Sequence, residues 1–243
     1  MNKKAISWII LIALSLVWGS SFMLMKQGLK AFSSDEVAGL RITIASAFMF
    51  PFLIKHYKID LKTNLKGLLL MGVFGNLIPA FLFTKAETQI SSSLTGMLNA
   101  LTPMFTIMIG MIAFNHKITK SQIIGVLVGL VGAIALVALG DNKENDQTKN
   151  IMYSLLVAAA TLCYAISVNG IKAYLGHVNS LTATVWSFTI IGPMAAIYLF
   201  GFTDVVEHAT HHPEALSSLG FISILAIVGS ALSVVVYNTL IKL

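Results

Sequence analysis

Residues 5–26 read AISWIILIALSLVWGSSFMLMK and follow a basic start, Met1-Asn2-Lys3-Lys4. A basic start before an apolar run is also typical of a signal peptide. No small-x-small cleavage site follows, and Trp18-Gly19-Ser20-Ser21-Phe22 continues directly into further apolar sequence. The stretch therefore predicts an uncleaved first transmembrane helix.

The composition of the whole chain points to lipid as the surrounding solvent. Charged residues make up 11% of the 243 residues and apolar residues 56%, whereas a soluble domain carries about 25% charged residues. The net charge of +6 comes from residues scattered in short connections, so we expect no nucleic-acid partner. The lone Cys163 excludes an intrachain disulfide and a cysteine-based metal cluster.

A helix needs about 20 apolar residues to cross a bilayer core of about 30 Å. Read at that length, the sequence predicts an all-α polytopic membrane bundle of eight transmembrane helices, here called spans 1 to 8. They cover residues 6–25, 36–54, 67–84, 92–113, 121–139, 151–171, 181–201 and 217–240.

The charges in the connections predict the orientation of this bundle. With the N-terminus inside, the cytoplasmic connections hold ten lysines and one acid, and the opposite connections hold five lysines and nine acids. Because lysine and arginine favour the cytoplasmic side, both termini are predicted to be cytoplasmic. The expected location is the cell membrane, in particular a bacterial inner membrane.

Two stretches of the chain recur in the same register. Residues 18–26 (WGSSFMLMK) match residues 164–172 (YAISVNGIK) at the aromatic, serine and lysine positions. Phe74-Gly75-Asn76 with Phe83 likewise matches Val228-Gly229-Ser230 with Tyr237. Spans 1–3 therefore resemble spans 6–8, and the odd offset of five spans inverts the second copy. We expect a first repeat at 1–140, a partial second repeat at 150–243, and a substrate site between them.

These stretches also resemble EamA-type permeases of the drug/metabolite transporter superfamily. The resemblance rests on Trp18-Gly19-Ser20-Ser21-Phe22, Leu40-Arg41, the segment 91–105 with Pro103, and the segment 118–125 that opens span 5. It implies two inverted five-helix repeats and the export or exchange of small amino-acid-like or drug-like metabolites by alternating access.

The sequence departs from the family pattern at two places. Asn115-His116-Lys117 stands where the family usually has a Gly-Glu-Arg-like turn, and the sequence ends at Leu243, where the family continues with two more helices. A C-terminally truncated permease is therefore expected. Two alternatives stay open: a non-transporting membrane module that acts through helix association, and a component of a lipid-linked sugar flippase.

No catalytic motif, phosphate-binding loop or pair of carboxylates inside a span is present, so neither an enzyme nor a cofactor is expected. The acids fall in connections or at helix ends, which argues against a carboxylate relay for protons. His208, His211 and His212 are spaced to bind zinc or to sense pH. A solvated loop is the favoured interpretation, and no metal site is predicted.

Polar side chains inside the spans are the best candidates for substrate binding, because such groups avoid lipid and face the bundle interior. Their alternative role is to bond neighbouring helices together. Gly75, Pro79 and Pro103 would absorb helix bending during transport. The predicted substrate-binding residues are Trp18, Ser20, Ser21, Asn76, Asn99, Thr102, Tyr164, Ser167, Asn169, Ser230 and Tyr237.

Two further features have alternative interpretations. Arg41 in span 2 could pair with Asp35, Glu36 or Glu87, snorkel outward, or hold a substrate carboxylate. The glycines Gly125, Gly129 and Gly132 of span 5 could form a homodimer face or pack within the bundle.

Overall fold

The computed structural model describes residues 3–114, 119–139 and 147–241, and all the regular secondary structure in these ranges is helical. Each predicted span coincides with a helix. Spans 1 and 2 are Lys3–Gly28 and Ser34–Met49, the latter continuing through Phe50–Phe52 and Leu53–His56. Span 3 joins Leu61–Leu69, Leu70–Leu77 and Ile78–Glu87, and span 4 joins Ser92–Leu98, Asn99–Leu101 and Thr102–Phe114. Spans 5, 6 and 7 are Lys120–Leu139, Gln147–Tyr174 and Ser180–Phe202, and span 8 joins Ala215–Ile224, Leu225–Leu232 and Ser233–Ile241.

Seven of these helices are long and apolar enough to cross a membrane within the described residues. They are spans 1–4 and 6–8. Span 5 is an apolar helix at the predicted position, Lys120–Leu139. The prediction of an all-α polytopic membrane protein is confirmed. The turn at residues 115–117 lies outside the described residues.

Spans 3 and 8 each contain an eight-residue π-helical segment, Leu70–Leu77 and Leu225–Leu232. A π-helix widens the hydrogen-bonding step to five residues and is frequent at functional sites. In each segment a side chain donates a hydrogen bond to the backbone carbonyl five residues earlier. Asn76 Nδ2 donates to the Met71 carbonyl at 3.1 Å, and Ser230 Oγ donates to the Leu225 carbonyl at 3.4 Å. These segments contain the Gly75-Asn76 and Gly229-Ser230 pairs.

Spans 2 and 7 pack closely along the centre of the bundle. Gly39 lies against Leu199, and Gly192 lies against Ser46 with no room for a Cβ atom. Ser46 Oγ also donates to the Phe188 carbonyl at 2.8 Å. Small residues allow this approach, and a hydroxyl-to-backbone bond adds to it, as is common between membrane helices.

Polar N-caps fix where four spans begin. Backbone N–H groups in the first turns of spans 2, 3, 4 and 7 donate to the side chains of Ser33, Asp60, Ser91 and Asn179. Asp60 lies in the connection between spans 2 and 3. The hydroxyl and the backbone N–H of Thr63 donate to its carboxylate and hold the pKa of Asp60 below its usual value.

The predicted loop between spans 7 and 8 contains a short helix, Val205–His211. His208 Nδ1 lies 2.9 Å from a carboxylate oxygen of the buried Glu36, which also accepts from Ser33 N–H. The segment was interpreted as a solvated loop, and its His211 is exposed, whereas the half-buried His208 joins this helix to span 2. Within the described residues, no group of three or more His, Cys, Asp or Glu side chains could hold a metal ion.

Large apolar side chains cover the outside of the bundle, as lipid contact requires. They include Trp8, Leu16, Ile112, Val128 and Phe200. The glycine stripe of span 5 also faces outward, since no atom of the described residues lies within 4 Å of the Cβ position of Gly125, Gly129 or Gly132. Packing of this stripe within the described part of the bundle is therefore not observed, and the homodimer face stays a prediction.

Candidate functional site

Span 1 crosses span 8 at the π-helical segment of span 8. Trp18 Nε1 donates to the Gly229 carbonyl at 3.1 Å, and the Trp18 and Tyr237 rings meet edge to face with centroids 5.1 Å apart. One turn further on, the buried Ser21 faces Gly229, where a Cβ would lie 2.8 Å from Ser21 Oγ. A Cβ at this position would force the Ser21 hydroxyl to move, so the glycine allows the two helices to approach closely.

Span 6 crosses span 3 in a similar way, again at a π-helical segment. Ser167 lies against Gly75 so closely that a Cβ on this glycine would overlap the Ser167 hydroxyl. The rings of Tyr164 and Phe83 pack with centroids 5.7 Å apart. Four pairs of residues thus occupy matching places in the two crossings. They are Trp18 and Tyr164, Ser21 and Ser167, Gly229 and Gly75, and Tyr237 and Phe83.

Arg41 connects the two crossings from the middle of the bundle. Its Nε donates to Ser230 Oγ at 2.7 Å, beside Gly229. Its guanidinium also lies near the hydroxyl of Tyr164, in the other crossing. Snorkelling is therefore not observed, and Arg41 makes no ion pair within 4.0 Å, because the one such pair among the described residues joins His208 and Glu36. Arg41 presents a positive charge between the repeats predicted from the sequence.

A side-chain amide of span 6 forms a hydrogen bond to span 4. The buried Asn169 donates from Nδ2 to the Thr106 carbonyl of span 4 at 3.0 Å and to the Ala165 carbonyl of its own helix at 2.9 Å. Two turns before Thr106 in span 4, Asn99 begins the 3-10 turn Asn99–Leu101. Thr102 Oγ1 donates to the Asn99 carbonyl at 2.8 Å. Such irregular backbone at membrane depth is tolerated where protein or a water-filled cavity satisfies it.

The predicted substrate-binding residues thus fall into three sets. Trp18, Ser21, Ser230 and Tyr237 meet at the first crossing, and Tyr164, Ser167 and Asn76 lie in the spans of the second. Asn99, Thr102 and Asn169 lie along spans 4 and 6. Ser20 is brought to neither crossing, because it is exposed and its hydroxyl bonds only the Val17 carbonyl of its own helix.

Glu87 is a polar residue of the interior that the sequence analysis placed in a connection. Span 3 continues to Glu87, whose side chain is fully buried. Neither carboxylate oxygen has a hydrogen-bond partner in the part of the chain that the structure describes. The signal was present in the sequence, because Thr84-Lys85-Ala86-Glu87 can continue the helix. The hydropathy criterion ended span 3 at residue 84 because Lys85 and Glu87 are charged.

A polar pocket of about 430 Å³ opens on the face of the bundle where the N-terminus lies. It lies between the connection of spans 2 and 3 and the connection of spans 6 and 7. Its lining residues are Lys58, Ile59, Asp60, Thr63, Asn64, His177, Val178, Asn179 and Thr182.

Comparison with known proteins assigns the architecture to a family. Residues 4–138, more than half of the chain, match the EamA-like transporter family. The chain belongs to the EamA-like transporter family. The resemblance stated from the sequence is thereby confirmed.

Relatives in this family cover most of the chain. An "Uncharacterized transporter" of Archaeoglobus fulgidus is 24% identical over 96% of this chain and 76% of its own length. A "Probable amino-acid metabolite efflux pump" of Salmonella typhimurium is 26% identical over 87% of this chain and 68% of its own length. The Escherichia coli "Uncharacterized inner membrane transporter YedA" is 27% identical over 96% of this chain and 73% of its own length.

One solved crystal structure, described as "Crystal structure of protein", shares the fold. It superposes with a TM-score of 0.67 over 98% of this chain and 79% of its own, at 15% sequence identity. At that identity the likeness concerns the fold alone.

Proposed function

We propose that this EamA-family membrane protein exports or exchanges small amino-acid-like metabolites by alternating access. The substrate would bind between the two helix crossings, with Arg41 facing its carboxylate. The observation that carries the proposal is the pair of matching crossings at π-helical segments, Ser21 on Gly229 and Ser167 on Gly75.

Two matching helix crossings are expected in a transporter that is built from an inverted repeat. In such transporters the substrate site lies near the midplane at the repeat interface, and one repeat rocks against the other. Here each crossing pairs a helix of the proposed first repeat, 1–140, with a helix of the proposed second repeat, 150–243. Glycine against serine keeps each contact free of interlocking side chains, which favours sliding.

The substrate class is supported by chemistry and by one relative. Arg41 supplies a guanidinium for a carboxylate, and the hydroxyls of Ser21, Tyr164 and Ser167 are neutral hydrogen-bonding groups. The relative from Salmonella typhimurium is described as a probable amino-acid metabolite efflux pump. Export from a bacterial cytoplasm would also fit a bundle with both termini inside, which is the orientation that the charge distribution predicts.

Orientation can be tested on its own with cysteine labelling in a Cys163→Ala background. Lys58→Cys and Glu207→Cys lie in connections on opposite faces. A membrane-impermeant maleimide added to intact cells is expected to label the Glu207→Cys variant and not the Lys58→Cys variant. The reverse pattern would put the termini outside.

The rival interpretation from another class is a membrane module that does not transport. The open glycine stripe of span 5 favours it, because that face is free to associate with another membrane helix. This rival predicts no substrate-dependent flux and no effect of changes at the crossings.

A counterflow assay separates the two functions. Proteoliposomes preloaded with an unlabelled amino-acid mixture are expected to accumulate one or more amino acids from a radiolabelled panel. Ser21→Ala should lower this uptake by about tenfold, equivalent to one lost hydrogen bond to the substrate. Asn99→Leu should abolish it while the protein still folds and inserts.

Ser15→Ala is the matched control for Ser21→Ala. Both hydroxyls donate to the carbonyl four residues back at 2.8 Å, but Ser15 is exposed on the outside of span 1. Uptake should be unchanged in the Ser15→Ala variant. Equal loss in both variants, or wild-type uptake with Asn99→Leu, would contradict the proposed site.

A further inference from the structure

We infer that Glu87 is a proton-binding group whose protonation is coupled to the movement of Arg41 between the two halves of the bundle. This inference rests on the proposed transport function and supplies its coupling ion. Export would be driven by protons that bind Glu87 on one side of the membrane and leave it on the other.

The surroundings of Glu87 are those of a neutral carboxylic acid. The side chain is fully buried, and neither carboxylate oxygen has a hydrogen-bond partner. A permanently charged carboxylate in a low-dielectric interior needs a paired cation and several donors to offset its lost hydration. Within the described part of the chain, no cationic nitrogen lies within 4.0 Å of this carboxylate, since the one ion pair there involves Glu36.

Charged and polar groups face Glu87 from the helices around it, and none of those described hydrogen-bonds its carboxylate oxygens. Lys26 of span 1 brings a positive charge near the carboxyl, but its ammonium donates to the Glu87 backbone carbonyl. Arg41 of span 2 also acts on it by charge, while its Nε is held by Ser230. Ser92 of span 4 donates its hydroxyl to the Phe22 carbonyl at 3.1 Å. Tyr164 of span 6 lies beside Arg41.

Arg41 is therefore the group that can exchange partners. In this conformation Ser230, from the proposed second repeat, holds its Nε, and Glu87 is left without a counter-ion. A rocking movement that separates span 2 from span 8 breaks the Arg41–Ser230 bond and frees the guanidinium for Glu87. The approaching positive charge then favours the carboxylate, and the acid releases its proton.

The chemistry of the step is a simple proton equilibrium. The carboxylate takes a proton from water at the face where span 3 ends, next to the exposed Thr88 and Lys85. The O–H bond breaks and the proton returns to water when the bundle has opened to the other face. A metal cation or the substrate ammonium does not fit this role, because both carboxylate oxygens are enclosed in the interior of the bundle.

Infrared titration of the purified chain in lipid nanodiscs tests proton binding without any substrate. The carbonyl stretch of a protonated carboxylic acid is expected near neutral pH in the wild type, lost in Glu87→Gln and kept in the exposed control Glu214→Gln. A wild-type protein without this band near neutral pH would overturn the inference.

The exchange of Arg41 has its own pair of variants. Ser230→Ala frees the guanidinium, so the protonated fraction at neutral pH should fall. Ser233→Ala should leave it unchanged, because Ser233 Oγ bonds the carbonyl of Val228 in its own helix. An unchanged fraction in Ser230→Ala would remove Arg41 from the mechanism.

Proteoliposomes separate this inference from the proposed function. With a radiolabelled amino-acid panel, Glu87→Gln should lose acceleration by a pH gradient and retain counterflow. A Glu87→Gln variant still driven by the gradient overturns the coupling role. Absence of flux in the wild type refutes the proposed function and coupling together, whereas the infrared band still decides whether Glu87 binds a proton.

Discussion

Trp18 illustrates how one side chain can connect the two parts of this bundle. Its indole N–H reaches the Gly229 carbonyl, in a segment where the π-helical step disturbs normal backbone pairing. Its ring packs edge to face on Tyr237. The sequence predicted that this tryptophan binds substrate, and the structure shows it half-buried at a helix crossing.

Trp18→Phe keeps the aromatic contact and removes the hydrogen bond. The variant should lose about 1 kcal/mol of stability, the net value of one hydrogen bond. Thermal unfolding in detergent measures it, and Trp8→Phe is the control because Trp8 is 67% exposed. Equal stability of the Trp18 and Trp8 variants would show that the bond to Gly229 contributes nothing.

At the scale of elements, the contact between spans 2 and 7 places the two halves against each other. Gly192 lies on Ser46 so closely that a Cβ would overlap the Ser46 hydroxyl and approach its Cβ atom. Gly201 lies in the same helix with no atom within 4 Å of its Cβ position. The two glycines therefore differ in packing and share a helical backbone.

Gly192→Ala should destabilise the protein by about 1–3 kcal/mol, because the added methyl group overpacks the interface. Gly201→Ala should be neutral or slightly stabilising, since alanine is the better helix former. Thermal unfolding of both variants gives the comparison. A Gly192→Ala protein as stable as the wild type would mean that spans 2 and 7 are not in this contact.

The elements were largely predictable, and the polar interior was not. Apolar runs of about 20 residues located all eight helices, because lipid allows few other backbone structures. The repeat placed Gly75 and Gly229 at matching positions in the sequence, but only the structure shows that both lie at helix crossings. Glu87 was not predicted to lie in the interior because the charges of Lys85 and Glu87 ended the hydropathy window at residue 84. The bond from Arg41 to Ser230 was not predicted because only the packing of distant spans brings these two residues together.

At the scale of the whole molecule, transport requires the two crossings to change during each cycle. The structure offers a way to prevent that change. A Cβ on Gly229 would lie 3.8 Å from the Ser21 Cβ, close to the mean separation across a disulfide of about 3.8 Å. Ser21→Cys combined with Gly229→Cys, in a Cys163→Ala background, should therefore form a bond that locks span 1 to span 8.

Counterflow of radiolabelled amino acids through this locked protein tests the central claim most directly. Each single cysteine variant, treated with the same oxidant, controls for the substitutions themselves. The alternating-access account predicts that oxidation stops the flux in the double variant and that a reductant restores it. Flux that continues through a fully cross-linked protein would contradict the account, because the proposed moving contact would then be static during transport.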